Sequence, residues 1–430
     1  MKILDYLFYL TLCVVASIGL MNFHFDEDIY FSLPTFESSK IYEVYEKEQW
    51  QLDSANLVAI DMTQIDPTKY LITYLSKDKG ESTKLHGVLF YPSKYSTMSR
   101  KGVWQNITTN TKTHSQDIVL FNLEMLKAQT RQYAHSLHSV LAQNFHSSLY
   151  LFLNATLSQN PLITRTYIFQ SSLEDIAKSI ESDDIQKNTD TLFSLYKNPA
   201  LSLLGRTNVF FSHKPSTFFG VDNTIQGIIL PFYTHINDDM TFFGIFNKEL
   251  QLKGIVKPYS DVPYTDPILI PLPSRYDINH VVNDMTTHQC LALYTNTARQ
   301  SDNKPNLAYQ LCKISNGVLQ FEGIQESKEL RVGAMSAAVF GRYVILIYTN
   351  KENTAINLAV WNGSDFITLK ELDKSIKAQF INPRILIYGT YAYIVYAKDM
   401  QDKINVITLN ETYINNLITS HNAMNQNIAN

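Results

Sequence analysis

Apolar residues in this chain recur as pairs of short segments, not as long helical stripes. Tyr70-Leu71-Ile72-Thr73-Tyr74 is followed, after a charged loop, by Leu85-His86-Gly87-Val88-Leu89-Phe90-Tyr91. Leu149-Tyr150-Leu151-Phe152-Leu153 precedes Ile163-Thr164-Arg165-Thr166-Tyr167-Ile168-Phe169. The same arrangement returns at 288–294 with 307–313, at 342–348 with 356–361, and at 391–396 with 404–409. A further pair lies at 240–246 with 250–256. The first member of each pair is a near-continuous apolar run, as in a strand buried on both faces. The second alternates, as in a strand nearer a sheet edge.

Two stretches depart from this pattern. Ser171-Ser172-Leu173-Glu174-Asp175 carries N-capping chemistry ahead of apolar residues at helical spacing, and predicts a short helix. Leu126, Tyr133, Leu137, Val140 and Leu141 fit a second helix over Met125 to Gln143, and Asp184 to Leu204 reads as a continuation of the helical patch.

From Cys290 to Val344 to Ala392 the strand pairs repeat at about fifty residues. A lone unit of a few antiparallel strands cannot bury both faces, whereas neighbours packed around an axis can. The expected fold is therefore mainly β, an irregular β-propeller of about six to eight blades with a small helical insertion. Two β-sandwich domains are the alternative, with the same hairpins and no radial period. The pattern divides the chain into residues 1–19, a lead-in at 20–54, one propeller-like domain over 55–420 and a polar tail at 421–430. Helical insertions fall at about 121–145 and 171–204. No WD dipeptide, paired kelch glycine or Asp-box is present.

The amino end changes the picture of compartment. Lys2 precedes an apolar run from Tyr6 to Ala16, small residues follow at Ser17 and Gly19, and acidic Asp26-Glu27-Asp28 comes next. These are the parts of a secretory signal peptide, cut near Gly19. A retained anchor is the rival reading, but Asp5 shortens the run below the ~20 apolar residues of a membrane span. The expected location is outside the cell or in the endomembrane lumen, with no stable membrane span after cleavage.

Of three cysteines, Cys13 would leave with the signal. Cys290 and Cys312 lie on two predicted strands joined by a polar loop; folding the hairpin about Ser301 sets them opposite each other, within disulfide range. Sequons at Asn106, Asn154, Asn362 and Asn410 are candidate glycosylation sites in that compartment.

Composition narrows the rest. With 45% hydrophobic and 18% charged residues the chain fills a core, and a net charge of -4 argues against a nucleic-acid surface. Aromatics reach 12%, while only 15 glycines are present, so Asn and Asp must supply many turns.

No catalytic, cofactor-binding or metal-binding set emerges from spacing. His135 and His138 would share a face on the predicted helix, with His146 beyond, but no carboxylate or Cys completes a metal set nearby. Asp61, Asp222, Asp238, Asp239 and Asp266 sit near strand ends, the residue type a glycosidase pairs for acid and base work. Nothing in their spacing selects two of them. Trp104 and Trp361, each at the end of a strand beside a sequon, are candidates for stacking on a sugar ring. The expected function is thus a non-enzymatic binder of a protein or glycan through loops at one end of the scaffold. A glycoside hydrolase or lyase on the same scaffold is the first alternative, and a structural extracellular coat protein the second.

Overall fold

The computed structural model describes residues 29–33, 43–52, 56–66, 69–77, 82–91, 114–115, 117–157, 160–181, 192–197, 208–211, 213–235, 239–258, 262–272, 286–299, 304–315, 318–399 and 401–429. Its strands form six antiparallel sheets arranged as the blades of a propeller.

Blade 1 comprises Leu57–Asp66, Lys69–Ser76, Lys84–Phe90 and Ile118–Asn122, named from the inner strand outward. Blade 2 is Ala134–Phe145, Ser148–Leu157, Asn160–Ser172 and Ser194–Leu195. In blade 3 the inner strand is broken into Val209–Phe210 and Ser216–Gly220, both paired to Ile225–His235, with Asp239–Asn247 and Leu252–Val256 outside. Blade 4 is Tyr264–Leu272, Gln289–Asn296, Leu307–Ser315 and Val318–Phe321. Blade 5 is Val332–Phe340, Tyr343–Asn350, Ala355–Trp361 and Phe366–Lys374. Blade 6 takes Phe380–Tyr388, Tyr391–Lys398 and Lys403–Asn410 from the carboxyl end, and its outer strand, Tyr45–Gln51, from the amino end.

Burial follows from this order. The second strands of the blades are buried on both faces, as their apolar runs require: Tyr343–Thr349 is buried throughout. The third strands, expected nearer an edge, are also interior, because a fourth strand covers each; Ile404–Asn410 is wholly buried. The edge character falls on the fourth strands, such as Tyr45–Gln51, where Glu46, Lys47, Gln49 and Gln51 are exposed.

Apolar packing lies between blades. Leu71, Leu89, Leu137 and Leu151 join blades 1 and 2. Phe152, Phe211, Ile228 and Phe232 join 2 and 3. Phe243, Cys290 and Tyr294 join 3 and 4, with Phe31 of the amino-terminal strand Ile29–Ser32 filling the same space. Leu293, Met335 and Leu346 join 4 and 5, and Ile347, Leu358 and Ile394 join 5 and 6. Trp50, Tyr70, Tyr74 and Tyr393 close the ring between 6 and 1. Six clusters for six blades is the signature of a closed ring, and excludes two separate sandwiches.

Among the described residues three α-helices decorate the ring: α1 (Leu123–Thr130), α2 (Leu173–Glu181) and α3 (Glu411–Ala429). Asn122 caps α1, its Oδ1 accepting from Met125 N at 2.9 Å, and left-handed Arg131 ends it. The helix predicted to run on to Gln143 stops there. Residues 134–145 are instead the inner strand of blade 2, turned back by His146 and Ser147, both at positive φ. Leu137, Val140 and Leu141 satisfy helical spacing, but pairing with Ser148–Leu157 decides the conformation. The helix predicted around Ser171 forms as α2, whereas most of 184–204 lies outside the described residues. Residues 1–19, expected to be a signal peptide, also lie outside them. No described helix is long and apolar enough to cross a membrane.

The cysteine pairing forms as expected. Cys290 and Cys312 are directly opposed in register, with Cα atoms 4.8 Å apart, and are disulfide-bonded.

Candidate active site on the propeller axis

The inner strands of blades 4, 5 and 6 share an irregularity near their starts. Pairing skips from Thr265 to Ile268, from Val332 to Met335, and from Ile381 to Arg384. The skipped pairs are Asp266-Pro267, Gly333-Ala334 and Asn382-Pro383. A proline has no N–H for the ladder, so it favours a bulge, and a bulge re-aims its neighbour's side chain. In blade 3 the inner strand breaks around His213-Lys214-Pro215 in the same way.

These interruptions build a cavity of about 460 Å³ on the axis. His213, Asp266, Gly333, Asn382 and Arg384 line it from the inner strands. Asn306, Lys351 and Asn353 line it from the loops joining second to third strands in blades 4 and 5. The lining is thus polar and comes from four blades.

The backbone near the cavity is tightly held. Asn306 clamps blade 5 by accepting from Val332 N at 2.7 Å and donating to Val332 O at 2.8 Å. At Gly333 a Cβ would lie 2.4 Å from Asn353 Oδ1 and 2.8 Å from Asn350 O, so only glycine fits. Asp266 adopts a left-handed conformation at φ 51°, which Asp tolerates better than most residues.

Asp61 of blade 1 lies behind this wall, fully buried. Its Oδ1 accepts from Arg384 Nε at 3.1 Å, its Oδ2 accepts from Ala142 N at 2.7 Å, and Lys214 Nζ stands 3.9 Å from Oδ2. One carboxylate therefore ties blades 1, 2, 3 and 6 together at the axis. Burial pulls the Lys214 ammonium down, and Asp61 opposes that shift. The buried imidazole of His213 is held well below its ordinary range by desolvation, and then by the Arg384 guanidinium. It is neutral at neutral pH. Tyr233 hydrogen-bonds Asp266, and burial together with the Asp266 and Asp239 carboxylates keeps its phenol well above its ordinary value.

Of the described carboxylates singled out from sequence, only Asp266 lines the cavity, and Asp61 is held by cations behind it. Asp222 is exposed in a turn, accepting from Thr224 N and Oγ1. Asp239 pairs with His235, and Asp238 lies outside the described residues.

Several expectations are corrected. Trp361 is 2% exposed, packed edge-on against Tyr309 and tilted against Phe366; it is a core residue that cannot stack on a sugar. Trp104 and Asn106 lie outside the described residues. Asn154 is buried and bonded to Ser139 and Thr166, and Asn410 is buried while accepting from Val44 N and Tyr413 N. Buried in this way, neither side chain presents itself to solvent as an attached glycan requires. Asn362 is half-buried in a turn, its Oδ1 accepting from Ser364 and Asp365. His135 and His138 are on a strand and not on the expected helix, and His138 bonds Ser136 and Thr156. Among the described residues no group of three or more His, Cys, Asp or Glu is placed to hold a metal ion.

A Ser–His–Asp line occurs in blade 1: Ser76 Oγ is 2.8 Å from His86 Nε2, and His86 Nδ1 is 3.5 Å from Asp117. Ser76 is 1% exposed, and Tyr74 stacks on the imidazole and bonds the same carboxylate. No substrate reaches that hydroxyl, so the line is a buried polar network of the blade.

No family model and no curated protein matches this chain. Solved structures do match. The Trypanosoma rangeli sialidase superposes with a TM-score of 0.51 at 6% identity, covering 90% of this chain and 62% of that one. Its complex with the inhibitor DANA gives 0.50 at 7%, covering 86% and 57%. This chain therefore spans about three-fifths of the length of the sialidase it resembles. A Penicillium chrysogenum α-L-arabinanase complexed with arabinobiose gives 0.46 at 9%, covering 89% and 98%. What is shared is the fold.

Proposed function

We propose that this protein is a carbohydrate-active enzyme that takes one sugar residue of a glycan into its axial cavity. The observation carrying this reading is the cavity itself: a polar space of about 460 Å³ lined from four blades by a carboxylate, an imidazole, a guanidinium, an ammonium and amides. Such a set can satisfy many hydroxyls at once, which is the task a sugar poses. The sialidase fold match supports it. Within this reading Asp266 is the candidate proton donor or acceptor, and Arg384 and Lys351 favour a ligand with an acidic substituent. The disulfide agrees with a secretory route, which is part of the proposal.

A second reading, a glycan receptor without turnover, is favoured by one observation. Hydrolysis of a glycoside commonly uses two carboxylates across the bond, and one lines the cavity among the described residues. The test is a glycan array followed by turnover assays with the wild type and Asp266→Asn. The enzyme reading expects product from wild type and a loss of about 100-fold or more in the variant, with binding retained. Binding without product from any glycan would replace it with the receptor. No glycan binding would reject both.

A further inference from the structure

Blade 3, which lends His213 to the cavity, also carries an aromatic group next to Asp266 of the cavity wall. Lys351 and Asn353 reach the cavity from the loop after the second strand of blade 5. The equivalent position of blade 3 is the end of Ile225–His235, where Tyr233 and His235 stand beside Phe210 at the start of the inner strand. Phe210 pairs in register with Tyr233, as Val332 pairs with Asn350 in blade 5.

The three rings form one cluster. Phe210 stacks on Tyr233 with centroids 5.3 Å apart and planes 19° apart. His235 meets Phe210 at 4.9 Å and Tyr233 at 5.1 Å, both edge-on. Phe210 and Tyr233 are half-buried and His235 is exposed. Asp239 holds the His235 ring through Nδ1, and Asp266 holds the Tyr233 hydroxyl. The cluster is therefore fixed in orientation and joined to the cavity wall through Asp266. By contrast, aromatic residues in the blade interiors are buried in the core.

We propose that Phe210, Tyr233 and His235 form an outer subsite that packs the apolar C–H face of the sugar residue next to the one in the axial cavity. This rests on the carbohydrate reading above. A pyranose or furanose ring presents C–H groups on one face, and an aromatic ring fixed by its neighbours meets that face at little entropic cost. The polar cavity would then read the terminal residue, and the aromatic rim would read chain length.

The experiment is an array printed with monosaccharides and matched di- to tetrasaccharides, probed with the full-length wild type, Phe210→Ala and Tyr233→Phe. Wild type should prefer the longer glycan. Phe210→Ala should cut that preference by about tenfold, the effect of one lost ring contact, while binding of the monosaccharide is unchanged. Tyr233→Phe, which keeps the ring, should retain the preference. Equal binding of short and long glycans by wild type, or an undiminished preference in Phe210→Ala, would overturn the subsite and leave the axial reading standing. Silence on every glycan would overturn both. Melting curves of the variants separate misfolding from a lost contact. Should Phe210→Ala not fold, Phe210→Leu and His235→Ala carry the same comparison.

Discussion

Asp61 shows how much one buried charge can organise. Its oxygens receive Arg384, Lys214 and an amide from three other blades. Removing one partner of a buried charge set leaves the others uncompensated, so Asp61→Ala should cost about 3–5 kcal/mol, read by denaturant unfolding. His213 carries the opposite lesson. It is neutral in the fold but free to charge in the unfolded chain, whose ordinary value is 6.5. Below that value the unfolded state binds more protons, so stability is full above pH 6.5 and falls as the pH drops beneath it. The slope contributed is up to ~1.4 kcal/mol per pH unit, and His213→Gln should remove it from a series of melts between pH 7 and 5. The Cys290–Cys312 bridge closes a loop of 22 residues in sequence separation. Reduction, or substitution of both by Ser, should lower stability by about 3 kcal/mol.

Elements explain what the sequence reveals and what it hides. The runs at 148–153, 343–348 and 391–396 are legible because a strand buried on both faces has no polar alternation to confuse. Asn56, Asn208, Asn223 and Asn353 at positive φ supply turns that scarce glycine leaves open. The strand at 134–145 is not legible locally, because its apolar spacing fits a helix and only its partner strand decides. The closing strand at 45–51 is equally silent: charged Glu46, Lys47 and Glu48 suit an exposed edge, and its partner 403–410 lies at the far end of the chain. Deleting residues through Gln51 should therefore leave blade 6 with an open edge and lower the thermal midpoint. The site was hidden for a related reason. Asp266-Pro267 and Asn382-Pro383 mark the same bulge in two blades, a signal visible in sequence once the inner strands are known. Gly333 holds the third copy. Gly333→Ala pushes a Cβ onto Asn353 and the Asn350 carbonyl, and should cost about 1–3 kcal/mol and weaken ligand binding together with stability.

At the scale of the molecule, six apolar clusters between six blades make a rigid ring, and the ring leaves its polar residues to meet at the axis. Rigidity matters because groups from four blades must hold one ligand without reorganising. The central claim is that this cavity binds a sugar residue. Its most direct test is calorimetric titration of the strongest array glycan into wild type, Asp266→Asn, Lys351→Met and a distant surface variant, Tyr133→Ala. The account predicts one binding site per chain, with affinity unchanged in Tyr133→Ala and about tenfold weaker in Lys351→Met. Binding indifferent to Lys351, or no glycan binding at all, would contradict it.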